Sequence, residues 1–243
     1  MKIGLTHLKM KTIAIINAGG TGSRFGHDTP KQYIFIDDKP MLYFSLKIFQ
    51  DNKNINEIYV VSHKDYFEYI TDICDKYNIT KFVKCIEGGK TANESRYNGL
   101  LKLNNVNDDD IIIMHDAVRL TTEQATLNKL INLTLKHGYC VCGQKINANI
   151  FINSTDNFAE YNPNMPSNNV FVCSMPFGCK YSILKVSFDI ADEYDELNNY
   201  AGPMGIVGQF CGINNFPTIE LSFIETLKIT YKNDVNFFNK MLE

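Results

Sequence analysis

Short apolar runs, each followed by an amphipathic stretch, dominate the first 145 or so residues of the chain. Residues 12–16 (TIAII), 58–62, 82–86, 110–114 and 139–143 are continuous or nearly continuous apolar runs and read as buried strands. Between them the apolar residues recur at helical spacing. The pattern predicts helices over 65–77, after the glycines at 88 and 89 through Tyr97, Leu100 and Leu101, and over 122–137. The last of these stops at Gly138, a suitable C-cap. A final strand at 226–230 and a short C-terminal helix close the pattern. Strands alternating with helices imply a mostly parallel sheet covered on both faces.

Residues 146–175 break this rhythm. They are rich in Asn, Pro and Ser and carry short alternating runs at 150–152 and 170–172, the marks of an irregular hairpin or arm. The expected architecture is therefore α/β, a Rossmann-like, mostly parallel sheet with helices on both faces and a projecting β-arm for dimerisation, a plain surface loop being the other reading of this composition. A single domain over 10–243 is expected, with the arm inserted at about 146–175. Residues 1–9 precede the first strand and read as an N-terminal extension.

Net charge and cysteine content narrow the class. A net charge of −3 argues against a nucleic-acid partner, which calls for a basic face. No apolar run approaches the ~20 residues that span a bilayer, so no membrane association is expected. The seven cysteines are odd in number and scattered without a CxxC pair, as in a cytoplasmic protein with reduced thiols. Any anionic ligand must then be held by local charge.

That charge is concentrated after the first strand, at Ala18-Gly19-Gly20-Thr21-Gly22-Ser23-Arg24 and Pro30-Lys31-Gln32. A strand running into glycines presents backbone N–H groups that can cradle phosphate oxygens. Arg24 and Lys31 add two fixed positive charges. The chain has only three arginines (Arg24, Arg96 and Arg119) among 24 basic residues, and each falls in a candidate site segment. Arginine's fork of donors matches phosphate in a way lysine's does not. Two familiar motifs fail. A GxGxxG fingerprint from Gly20 meets Phe25, and a GxxxxGK[ST] loop ending at Gly89-Lys90-Thr91 would begin on Lys84. Gly19-Gly20, Gly88-Gly89 and Asp116 all lie just past the carboxyl ends of predicted parallel strands, the edge where open α/β sheets bind ligands.

The glycine loop, Pro30-Lys31-Gln32, Gly88-Gly89-Lys90-Thr91 with Glu94-Ser95, His115-Asp116-Ala117-Val118-Arg119 and Leu227-Lys228-Ile229-Thr230 together resemble a known family. It is that of the cytidylyltransferases that convert 2-C-methyl-D-erythritol 4-phosphate and ribitol 5-phosphate to CDP derivatives. The resemblance implies attack of an acceptor phosphate on the α-phosphorus of CTP, with pyrophosphate leaving. It assigns catalysis to Arg24, Lys31 and Lys228. It gives nucleotide binding to Ala18, Gly19, Gly20, Thr21, Gly22, Gly88, Gly89, Lys90 and Ser95, and acceptor binding to Asp116 and Arg119. It implies Mg2+ held mainly through the CTP phosphates, without protein metal ligands, and a homodimer. Ser95 as a helix cap, Lys90 as a solvated loop residue and Lys228 as one of many surface lysines remain open readings. His115 reads as structural, because a phosphate dianion needs no base to attack. A nucleotidyltransferase using another base, or a CTP-binding protein that transfers nothing, are the alternatives.

The acceptor half departs from the family pattern. Asn147-Ala148-Asn149 stands where relatives carry Asp-Thr, and Met165-Pro166-Ser167-Asn168 lacks the arm's arginine. Ser174-Met175-Pro176 replaces Thr-Pro-Gln, and the Thr-Asp pair expected near Gly202-Pro203 is absent. Ala92 stands where an arginine is common, with Arg96 four residues on. The same reaction on an altered acceptor is the simplest expectation.

Overall fold

The computed structural model describes residues 10–20, 25, 29–147, 151–155, 158–161 and 170–242. The chain opens on β1 (Thr12–Asn17), then makes a two-residue ribbon, β2 (Phe35–Ile36) and β3 (Lys39–Pro40), and helix α1 (Met41–Gln50). Alternation continues through β4 (Glu57–Ser62), α2 (Phe67–Lys76), β5 (Phe82–Glu87), α3 (Ala92–Leu101), β6 (Ile111–Asp116), α4 (Gln124–His137) and β7 (Tyr139–Ile146). A hairpin of β8 (Phe151–Thr155) and β9 (Phe158–Tyr161) follows, then the long strand β10 (Val170–Lys180). The chain ends with α5 (Tyr181–Glu193), α6 (Pro203–Phe210), β11 (Thr218–Glu220) and α7 (Lys232–Leu242).

Seven strands form one sheet in the order β11-β7-β10-β6-β1-β4-β5. All neighbours are parallel except β10, which runs antiparallel to both β6 and β7. Alternate residues of each strand face opposite layers. Ala14, Ile16, Ile58, Val60, Ile111 and Ile113 pack under α1, α2 and α4. Ile13, Ile15, Tyr59, Val61, Ile112 and Met114 pack under α3, α5 and α6. Both faces being covered explains why the strands read as unbroken apolar runs. A third cluster at the carboxyl edge joins Phe25, Ile36, Met41, Val118, Leu120, Ile229 and Phe238. Helix α3 lies close on the sheet because Gly99 faces it: a Cβ there would stand 2.8 Å from Val61 Cγ2. No helix among the described residues is long and apolar enough to cross a membrane.

Two sequence expectations change. Residues 226–230 are not a strand. A 3-10 turn over Ile224–Thr226 leads into an extended segment whose apolar residue Ile229 turns into the third cluster instead of joining the sheet. The remaining sheet position is taken by β11, beside β7. The return limb of the expected arm is the first half of β10: Val170–Ser174 pair with β7 from Ile146 to Cys142, and after a bulge Phe177–Lys180 pair with β6. Gly138 does end α4 in the left-handed conformation, at φ 90°. Residues 1–9, and 162–169 within the arm, lie outside the described residues.

Candidate active site

Four segments meet at the carboxyl edge of the sheet around a pocket of about 350 Å³. The first is the glycine loop after β1. Ala18 N donates to Val61 O at 2.7 Å, and the buried Gln32 side chain donates from Nε2 to Ala18 O at 2.5 Å and Gly20 O at 3.0 Å. Gln32 thus fixes the backbone of the loop while its neighbour Lys31 faces the same pocket. Thr21, Gly22 and Arg24 lie outside the described residues.

The second segment is the loop from β5 into α3. Ser95 Oγ accepts from Gly89 N at 3.0 Å, so its hydroxyl holds the loop. The N-cap of α3 is Thr91, whose side chain accepts from Glu94 N, so Ser95 is not the cap. Gly88 packs against Ser95 beneath the pocket. Gly89, Lys90, Thr91, Ala92 and Ser95 line it.

The third segment is the end of β6. Asp116 is buried and gathers three cations: Arg96 Nη2 at 3.1 Å on Oδ1, and Lys228 Nζ at 2.9 Å and Arg119 Nε at 3.6 Å on Oδ2. Burial alone would raise the pKa of this carboxyl. The charges of Lys228, Arg96 and Arg119 outweigh it and hold Asp116 well below the usual carboxylate range. His115 beside it is wholly buried, which pushes its pKa down to about 4, and Nε2 lies 2.9 Å from Arg119 O. A neutral histidine turned away from the pocket is a structural group.

The fourth segment is the extended strap through Lys228. Arg119 Nη1 donates to Thr226 O at 2.8 Å, Ile229 N to Val118 O at 3.0 Å, and Lys31 Nζ to Ile229 O at 2.7 Å. These bonds place the Lys228 side chain over Asp116. Arg119 does not line the pocket; it ties the strap to β6.

The pocket therefore has a glycine-rich half, with Lys31, and a cationic half built on Asp116. Three residues given no role by sequence reasoning belong to it. Gln32 fixes the first loop, and Arg96 joins the Asp116 cluster. Asn17 contributes Oδ1, a buried pocket atom with no hydrogen-bond partner among the described groups, which a ligand hydroxyl would satisfy. Asn17 was visible as the last residue before the glycines, and Arg96 as one of three arginines.

Residues 12–160 match the model of the 2-C-methyl-D-erythritol 4-phosphate cytidylyltransferase (IspD) family. The chain belongs to that family. Among relatives with this name, the enzyme of Clostridium botulinum (strain Okra / Type B1) is 33% identical over 198 residues, covering 78% of this chain and 85% of the relative. That of Clostridium novyi (strain NT) is 31% identical over 199 residues, covering 78% and 84%. The crystal structure of the Francisella tularensis cytidylyltransferase superposes with a TM-score of 0.79 at 25% identity, over 95% of this chain and 99% of that one. The Anaerococcus prevotii 4-diphosphocytidyl-2C-methyl-D-erythritol synthase gives 0.79 at 22% identity over 96% of each, a likeness of fold. As a member of this cytidylyltransferase family, the chain is a CTP-dependent nucleotidyltransferase that moves CMP to a phosphorylated acceptor.

Proposed function

We propose that the acceptor is the phosphomonoester of a small polyol, and that the two halves of the pocket divide the reaction between them. One observation carries this: the glycine loop and Lys31 line the same cavity as Arg96, Asp116 and Lys228, with Arg119 backing that carboxylate from outside the lining. Glycine-loop N–H groups and Lys31, with Arg24 by resemblance, take the CTP phosphates. Ser95 and Gly89 hold the loop that meets cytosine and ribose. Lys228 takes the acceptor phosphate. An acceptor oxygen forms a bond to the α-phosphorus of CTP as the bond to the β-phosphate oxygen breaks, and pyrophosphate leaves with that electron pair. The protein's part is positioning and charge stabilisation. No base is needed, in keeping with a buried, neutral His115.

Mg2+ fits this arrangement as a companion of the nucleotide. Both oxygens of the pocket carboxylate, Asp116, are engaged by cations, so among the described residues the pocket offers no free carboxylate and the triphosphate oxygens would be the main donors to hold it. When bound, it neutralises charge on the leaving pyrophosphate. We further propose a homodimer through the arm, whose β8–β9 hairpin forms a ribbon of its own. A cytoplasmic site of action suits a chain with seven unpaired thiols.

Relatives are named for 2-C-methyl-D-erythritol 4-phosphate, which makes it the first acceptor to test. An altered acceptor, another polyol phosphate than these relatives' own, is favoured by the missing cation at 165–168 and by Asn147, and ribitol 5-phosphate is tested beside it. The test is pyrophosphate release from CTP with Mg2+ and each of these, glycerol 3-phosphate and sugar phosphates, with ATP, GTP and UTP as controls. Release with CTP and one polyol phosphate is expected. Release from another nucleotide in preference to CTP, or none with any acceptor, overturns the reading.

A further inference from the structure

The cations around Asp116 sit in two different settings. Arg96 meets Oδ1 at 3.1 Å with a side chain only 7% exposed. Lys228 meets Oδ2 at 2.9 Å with a side chain 39% exposed. The arginine is held from behind as well. Its Nη1 donates to Asn93 Oδ1 at 2.9 Å, and Asn93 Nδ2 donates to Leu197 O and Tyr200 O, both at 2.8 Å. A rigid planar fork fixed at both ends cannot leave its carboxylate, whereas an ammonium on a four-carbon stem at the pocket surface can exchange one anion for another.

We propose that Arg96 is a positioning residue for the acceptor, the fixed counter-charge that lets Asp116 release Lys228 to the incoming phosphomonoester. The proposal rests on the reading above that this half of the pocket receives a phosphorylated acceptor. A buried carboxylate stripped of its partners is strongly unfavourable, so Asp116 surrenders Lys228 only if another cation stays. Arg119 is a poorer candidate, since its Nε lies 3.6 Å away and its Nη1 is committed to Thr226 O. Asp116 in this arrangement sets the availability of Lys228.

The test reads Lys228 itself, by reductive methylation with formaldehyde and cyanoborohydride followed by mass spectrometry of its peptide. Only an amine released from Asp116 reacts freely. Replacing Arg96 leaves Asp116 to grip Lys228, so Arg96→Gln is expected to slow methylation severalfold. Adding Asp116→Asn to Arg96→Gln is expected to restore the rate, which a merely structural role for Arg96 would not allow. An unchanged or faster rate in Arg96→Gln, or no restoration in the double variant, overturns the proposal. Should Arg96→Gln not give folded protein by circular dichroism, Arg96→Met carries the test: it too removes the charge, so the same slowing is expected and an unchanged rate overturns the proposal. In steady state with the acceptor that the wild type turns over, Arg96→Gln is expected to raise the acceptor KM while the CTP KM stays put. An equal rise in both overturns the assignment. If the wild type turns over no acceptor, the functional reading fails, and the methylation rates still decide whether Arg96 governs Lys228.

Discussion

Lys31 and Ile229 are 198 positions apart in the chain, and the lysine ammonium donates to the isoleucine carbonyl at 2.7 Å. The bond joins the glycine-loop side of the pocket to the strap that carries Lys228. Under the proposed function Lys31 has two parts to play, one toward phosphate charge and one toward the strap. Lys31→Ala is expected to lower kcat about 10²–10³-fold, as loss of a charge-stabilising group does. It should also raise hydrogen exchange at Ile229, whose N–H bonds to Val118 O. Pyrophosphate release and exchange mass spectrometry check the two effects separately. A lowered kcat with unchanged exchange would confine Lys31 to chemistry.

The second loop offers a sharper division of roles. A Cβ on Gly89 would stand 2.4 Å from Glu94 Cβ, so Gly89→Ala must push the loop away from α3. Ser95→Ala removes the hydroxyl that accepts from Gly89 N. Both variants are expected to raise the CTP KM, Gly89→Ala the more, with the acceptor KM little altered. Loss of a neutral hydrogen bond corresponds to ~0.5–1.5 kcal/mol, roughly a factor of two to ten for Ser95→Ala. An acceptor KM that rises instead would move this loop out of the nucleotide half.

Much of this arrangement was legible in the sequence because parallel strands buried on both faces leave unbroken apolar runs, and the chemistry sits at their ends. Gly19, Gly89 and Asp116 could be placed on one edge from that pattern alone. The strand containing Pro176 and Gly178 could not, since both residues are turn formers and nothing local reveals an antiparallel strand threaded between β6 and β7. Leu227 and Ile229 imitate strand alternation, yet Ile229 is buried against Phe238 and Val118 beyond the sheet. Arg96 was visible as a rare arginine, but its partner Asp116 is 20 residues away on another element, and only the packing of α3 brings them together.

Glu225 was not legible at all. It is buried with no cation beside it among the described residues, and its carboxylate accepts from Ser222 N, Ser222 Oγ and Glu123 N, the last at the N-cap of α4. The start of a helix suits a negative charge, so α4 holds the strap three residues before Lys228. Glu225→Ala leaves these donors unmatched and is expected to cost about 1–3 kcal/mol of stability. Urea denaturation checks this. Because the strap loosens, the acceptor KM should rise while the CTP KM holds. Loss of stability with both KM values unchanged would limit Glu225 to the fold.

His115 makes the stability of the protein sensitive to mild acid. Burial lowers its pKa from the ordinary 6.5 to about 4 in the folded chain, although its bond to Arg119 O acts the other way. The unfolded chain then binds the extra proton first. Between pH 6.5 and about 4 it holds more protons than the folded chain, so stability falls as pH falls through that window. The full effect is on the order of 3 kcal/mol, reached near the folded value. Asp116 acts in the same direction but lower: its depressed pKa means that its contribution is lost only below the ordinary carboxylate value of 3.8. The two are separable by pH. In His115→Gln, whose amide can still donate to Arg119 O, unfolding free energies measured in urea from pH 7.5 to 4.5 are expected to fall less steeply than in the wild type. Parallel curves would mean that His115 does not stay neutral in the folded protein.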